Sequence, residues 1–112
     1  MTTTAVALIE SKYAENSETT QYTSTNCKTI IDKFTATNIT AANHTITVRL
    51  VTNGGSAGAS NAQAYNITIA AGKSYQFQEI VGHTLESGDF ISTLADAASA
   101  ITIRASGRQI TS

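Results

Sequence analysis

Strict alternation of apolar and polar residues recurs in four separate segments, and no other feature narrows the possible folds of this chain as far. In "HTITVRLVT" (44–52), Ile46, Val48 and Leu50 take one face while Thr45, Thr47 and Arg49 take the other. "AYNITIA" (64–70) sets Tyr65, Ile67 and Ile69 against Asn66 and Thr68, and "KSYQFQE" (73–79) sets Tyr75 and Phe77 against Ser74, Gln76 and Gln78. In "AITIRAS" (100–106), Ile101, Ile103 and Ala105 oppose Thr102 and Arg104. Period two is the side-chain period of a half-buried β-strand. No stretch keeps helical periodicity over three turns, and proline is absent.

Weaker strand patterns fill the gaps. "TTQYTST" (19–25) is short and polar, and "DFISTLADA" (89–97) is apolar on both faces, as a strand covered on both sides would be. In "CKTIIDKFTATNIT" (27–40), Phe34 and Ala36 share a face, but Ile30 and Ile31 followed by Asp32 blur the register. A bulge near Asp32 explains the blur. Turns are expected at "NITAANH", "NGGSAGASN", "AAGK", "ESGD" and "ADAASA", each rich in the residues that turns require. Seven to eight short strands at this spacing predict an all-β fold, an antiparallel β-sandwich of jelly-roll-like form, with a small barrel as the alternative. Residues 1–18 are expected to form an N-terminal arm or an edge strand, and 19–112 a single sandwich domain. Phe34, Val48, Leu50, Ile67, Phe77, Ile101 and Ile103 are the expected core.

Composition limits what such a sandwich can do. Of the residues making up the 41% hydrophobic share, 17 are alanine, so the core is thin and subunit association would help it. Charged residues are 13% and the net charge is −1, which leaves no field to steer nucleic acid or an anionic membrane. The surface must be Thr, Ser, Asn and Ala, side chains that lose little entropy when buried against a partner. One cysteine, Cys27, excludes an internal disulfide and a multi-cysteine zinc site, and it is expected as a small buried hydrophobe. "TTTAVALIESKY" has no basic region and only a short apolar run, so it is not expected to be a signal peptide.

No catalytic pattern emerges. His44 and His83 stand apart, with no HExxH or His-x-His spacing to aim two imidazoles at one metal. No GxSxG elbow occurs. Glu86 and Asp89 in "ESGD" are close enough for acid–base work, but the sequence there is that of a tight turn. The glycine loop lacks a Lys-Ser/Thr ending and precedes a strand, so it is not a phosphate loop. The three Asn-x-Thr triplets at Asn38, Asn43 and Asn66 are read as strand-end chemistry rather than glycan sites. No enzyme activity, cofactor or metal is expected.

The run from Lys28 to Thr111 resembles a group of small all-β virion proteins encoded among the structural genes of tailed bacteriophages. The shared pattern is "F-T-x-x-N", "V-x-L-V", a Gly/Ser/Ala loop, "I-A-A-G-x-x-Y/T", "L-x-x-G-D-x-I-S" and "L/I-T-I-R-A-S-G-x-x-I-T". In this chain these are Phe34 to Asn38, Val48 to Val51, residues 53–61, Ile69 to Tyr75, Leu85 to Ser92 and Ile101 to Thr111. The resemblance implies a sandwich that coats or joins parts of a virion, often as trimers on a capsid surface, and it carries no catalytic residue.

The expected function is therefore that of a non-enzymatic virion structural protein, foremost a capsid decoration or cement protein. A head–tail junction or tail component is the first alternative, and a carbohydrate- or receptor-binding module the second. The expected partners are itself, as a homotrimer, and the major capsid protein or another virion protein, with no nucleic acid and no membrane. It would be made in a bacterial host cytoplasm and reside in the virion. The expected partner interface combines Val6, Leu8 and Ile9 of the N-terminal segment with Asn53, Gly54, Gly55, Gly58 and Asn61 of the loop. That loop is expected to be floppy when free, because three glycines and no large side chain anchor it.

Overall fold

The computed structural model describes residues 1–111 and is all-β. Nine strands follow in order: β1 (Thr2–Tyr13), β2 (Thr19–Thr23), β3 (Lys28–Asn38), β4 (His44–Val51), β5 (Ala62–Ile69), β6 (Ser74–Gln76), β7 (Thr84–Leu85), β8 (Phe90–Ala95) and β9 (Ile101–Thr111). They form two antiparallel sheets. The first, sheet A, has the order β1-β9-β3-β6, with β7 also pairing with β3, and the second, sheet B, has the order β2-β8-β4-β5.

That order has a simple logic. The first strand pairs with the last, the second with the one before the last, β3 with β6 and β7, and β4 with β5. The chain is one long hairpin rolled into two layers, which is the jelly-roll winding. The connection between β4 and β5, residues 52–61, is the tip of that hairpin. The strand count exceeds the expected seven to eight because of β7, a two-residue bridge too short for any periodicity to announce.

The core lies between the sheets. Phe34, Val48, Phe77, Ile101 and Ile103 are buried as expected, while Leu50 and Ile67 sit half-buried at its margin. Phe77 anchors the aromatic part, with its ring edge-on to Phe34 and Tyr75 at 4.9 Å between centroids in both pairs. Ile31, Ile46, Val51, Ile80, Leu85 and Ile91 are enclosed as fully.

Bulges set which side chains face this core. The register of β3 on β9 shifts between Ile31 and Lys33, so Ile31 and Phe34 both point inward across an extra residue, as the sequence around Asp32 implied. A second bulge was not anticipated. Asn66 adopts φ 47°, and its N–H donates to Thr47 Oγ1 at 3.0 Å. The extra residue turns Ala64 inward and leaves Tyr65 62% exposed. Tyr65 therefore does not share the inner face of Ile67 and Ile69.

Residues 1–18 supply β1, the edge strand of sheet A, and the crossing to sheet B. β1 pairs with β9 along its whole length. Leu8 and Ile9 are buried members of the core, and Val6 packs half-buried against it. These three were expected at a partner interface; Leu8 and Ile9 instead fill the space beneath Gly107 and Ala105 of β9. A Cβ at Gly107 would run into the Leu8 side chain and the Ile30 carbonyl, so that glycine is what lets β1 and β3 close on β9.

Candidate functional site

The loop at the hairpin tip begins with a tight turn. Gly55 N–H donates to the Thr52 carbonyl at 2.8 Å, and Gly54 at φ 84° occupies the position that needs a left-handed residue. A second turn packs beside it. In "ESGD", Asp89 N–H donates to the Glu86 carbonyl at 3.0 Å with Gly88 at φ 94°, so this stretch is the tight turn that its composition predicts. The Asp89 carboxylate then joins the two turns, accepting from Glu86 N–H at 2.9 Å and from Asn53 N–H at 2.9 Å. Any side chain at Gly88 would collide with Asn53.

The rest of the loop folds back toward the outer face of sheet B. A single turn of 3-10 helix, Ala59–Asn61, is tied up by Asn61, which donates to the Ser56 carbonyl at 2.8 Å and accepts from Gly58 N–H at 3.1 Å. Arg49 on β4 reaches out beneath it. Its Nη1 donates to the Gly58 carbonyl at 2.5 Å, and its Nε donates to Glu18 Oε1 at 3.0 Å. Glu18 Oε2 in turn accepts from Ser92 Oγ at 2.5 Å. The Arg49 side chain is only 10% exposed. This chain of bonds crosses sheet B from the β1–β2 connection to the hairpin tip.

The expected floppy loop is therefore corrected. Backbone and asparagine hydrogen bonds organise it without large side chains. Of its expected interface residues, Asn53, Gly54 and Gly55 are exposed, whereas Gly58 and Asn61 are half-buried. The structure does not bring them together with Val6, Leu8 and Ile9, which belong to the strand on the far side of sheet A.

The outer face of sheet A offers a different surface. Thr35, Thr37, Thr102 and Ser106, with Ser11 of β1, line a shallow groove of about 430 Å³ that also takes in Lys33 and Arg104. Neither cation forms an ion pair among the described residues. At the end of this face, Arg108 grips Asp32 through Nη2–Oδ1 at 2.9 Å and Nε–Oδ2 at 3.0 Å. The guanidinium holds the Asp32 carboxyl below its usual pKa and is itself raised by the pairing.

His44 and Cys27 are engaged structurally, whereas the exposed His83 side chain takes no hydrogen bond among the described residues. His44 Nδ1 lies 3.0 Å from Asp96 Oδ1. Cys27 is buried beside Ser24 and Thr29; burial pushes its thiol up, but hydrogen bonds from these two hydroxyls bring the net shift down. Among the described residues no group of three or more His, Cys, Asp or Glu is placed to hold a metal ion. Asn38 is wholly buried, Asn43 Oδ1 accepts from Ala71 N–H at 3.2 Å, and Asn66 forms the bulge. All three asparagines of the Asn-x-Thr triplets thus serve strand ends or bends.

Sequence reasoning missed the Arg49–Glu18–Ser92 chain and the exposure of Tyr65. A lone arginine on an otherwise threonine-clad strand face was the available signal for the first. For the second there was none, because Tyr65 alternates correctly with Ile67 until a bulge intervenes. Compared with protein-family models, with curated proteins and with solved structures, the chain matches none.

Proposed function

We propose that this chain is a non-enzymatic structural protein of a tailed-phage virion, acting as a decoration or cement subunit bound to the outer capsid lattice, with trimers as its implied unit. The observation that carries the reading is where the recurring motifs fall on the roll. "FTATN" closes β3, "VRLV" closes β4, "LESGDFIS" is the turn into β8, and "ITIRASGRQIT" is β9. The motif series thus falls on the strands and the turn of an all-β roll, which is the kind of fold the resemblance implies. Jelly rolls recur in capsid and lectin domains, and since a fold hosts many functions this supports the class rather than the role. The hydroxyls of the outer face of sheet A add to it, since Ser and Thr give up little side-chain entropy on contact, while Lys33 and Arg104 in its groove call for acceptors on the partner.

Copy number in purified particles tests the proposal. Many copies spread over the head are expected for a decoration subunit, whereas a single ring at the neck would assign the chain to the head–tail junction. Absence from particles would reject the virion reading.

Tyr65 favours a second reading. A sugar platform needs an exposed aromatic among amides and hydroxyls, and the bulge at Asn66 places Tyr65 outward between Ala64 and Asn66. Glycan-array binding by the isolated protein, lost in Tyr65→Ala, would establish a carbohydrate-binding module instead.

A further inference from the structure

The free edges of the two sheets are not equivalent. β2 has five residues and a register shift between Thr20 and Tyr22. β5 is bent by its bulge at Asn66, and β6 is three residues long. Short, bulged edges of this kind resist pairing with another chain. β1 lacks that protection over its first half. Thr2 to Ala7 runs in unbroken register against Thr111 to Ser106 of β9, and its irregularities begin only beyond Ala7. The segment contains no charge, proline or glycine, and the first charged residue is Glu10.

Every second residue of an edge strand turns its N–H and C=O away from its one neighbour. For Thr2 to Ile9, no such backbone group takes a partner outside the β1–β9 ladder among the described residues. Thr2, Thr3, Thr4, Ala5 and Ala7 are all exposed, so no side chain among the described residues covers this edge.

We propose that β1 pairs antiparallel with β1 of a second copy, joining the two A sheets into one continuous sheet. The inference concerns self-association alone and does not depend on the virion reading. Parity fixes the register closely. Val6 faces the core side opposite Gly107, so Thr2, Thr4 and Val6 share that side while Thr3, Ala5 and Ala7 face outward. A two-fold axis perpendicular to the sheet keeps both copies' inner faces on the same side. Opposed residues must then have like orientation, which allows Thr4 or Ala5 to pair with itself and forbids the register between them. In either allowed register only Thr, Ala, Val, Leu and Met side chains oppose one another over the regular segment, and no like charges meet.

A second copy fits this edge better than another edge of the same fold does, because β2 and β5 would present their bulges to it. Isologous pairing also closes on itself and consumes both exposed edges. It is not the contact of a closed trimer. Where trimers form through other surfaces it joins them in pairs, so the assembly has an even number of chains.

Sedimentation of the full chain across a concentration series, with Ala5→Lys and Ala5→Ser compared, tests the proposal. Ala5 is exposed, so neither change should alter the thermal melt of the subunit. An even-numbered assembly is expected for the wild type and Ala5→Ser, with Ala5→Lys losing that step because the two lysines stand opposite each other in the Ala5 register and diagonal to each other in the Thr4 register. A spin label on Ala5→Cys supplies an independent readout, with buried Cys27 checked for silence in the wild type. The labelled Cα atoms should lie within about 8 Å of each other. A monomeric wild type, association indifferent to Ala5→Lys, or a long label–label distance would each overturn the pairing. If Ala5→Lys does not fold, the label distance decides.

Discussion

Asn38 ties the two layers together at the end of β3. It ends β3 with 0% exposure, yet its side chain is fully used. Its Nδ2 donates to the Ala42 carbonyl at 2.7 Å and to the Ile69 carbonyl of β5 at 2.8 Å. Its Oδ1 accepts from Thr40 N–H at 2.9 Å and from Thr40 Oγ1 at 2.8 Å. A buried amide that satisfies every valence costs little, whereas groups left behind without it are expensive. Asn38→Ala strands the Ile69 carbonyl and the Thr40 N–H, while the Ala42 carbonyl keeps Thr40 Oγ1 at 2.9 Å, and should destabilise the domain by about 2–4 kcal/mol in urea unfolding. A cost under about 1 kcal/mol would mean that water replaces the amide at no penalty. The sequence marks Asn38 as the end of "F-T-x-x-N", but its role depends on Ile69, 31 residues away, and no local pattern carries that. Titration also belongs to this scale. Lys12 holds the Glu15 carboxyl below its ordinary pKa, as Arg108 does for Asp32. A carboxyl with a lowered folded-state pKa contributes stability above its unfolded value and loses it as pH falls through the folded one. Stability should therefore decline from about pH 4 downward. Asp32→Asn should flatten part of that acid loss while changing neutral stability little, since the pair is solvent-exposed. A decline equally steep in the variant would assign the acid loss to other carboxylates.

At the scale of elements, most strands were legible because alternation is local. The bulge at Asp32 was legible too, since adjacent isoleucines followed by an aspartate cannot keep period two. The bulge at Asn66 was not, because the alternation there is intact and only the left-handed Asn66 breaks it. The hairpin-tip loop was misjudged for a related reason. Its composition suggests a mobile segment, but its order comes from Asp89 and Arg49, which lie on other elements. Replacing residues 54–60 by a short connection removes the Gly58 carbonyl from a largely buried guanidinium, so the domain should melt lower rather than unchanged. Arg49→Ala should have the larger effect, because it leaves the part-exposed Glu18 without its cation and the loop without its tether. Full burial of such a pair would make its disruption cost about 3–5 kcal/mol; with Glu18 30% exposed, roughly half of that is expected. Proteolysis in the loop should accelerate in step. Undiminished stability in Arg49→Ala, with cleavage unchanged, would show that the loop holds itself.

At the scale of the molecule, winding places the burden on the two ends of the chain. β9 is central in sheet A, flanked by β1 and β3, so β1 covers one whole side of it. Nothing in residues 1–18 alone reveals this, because an apolar arm and an edge strand have the same local pattern; only the pairing partner separates them. The consequence is a sharp expectation for truncation. Deleting residues 2–12 removes Leu8 and Ile9 from the core, both less than 10% exposed, and opens the β9 edge along its length. Burial of two such side chains is worth roughly 1.5–3 kcal/mol each, and the cavity they leave adds to the loss. A small domain with about 5–15 kcal/mol in total has little room for that. The truncated chain should therefore fail to fold cooperatively at 37 °C, or expose apolar surface and aggregate through the bared edge of β9. Supplying the missing segment in trans, as a peptide of residues 1–14, should restore a cooperative melt, since its ladder with β9 is antiparallel and needs no covalent link. A truncated chain that melts as cooperatively as the whole would show that β1 is an appendage and that β9 carries the sheet without it.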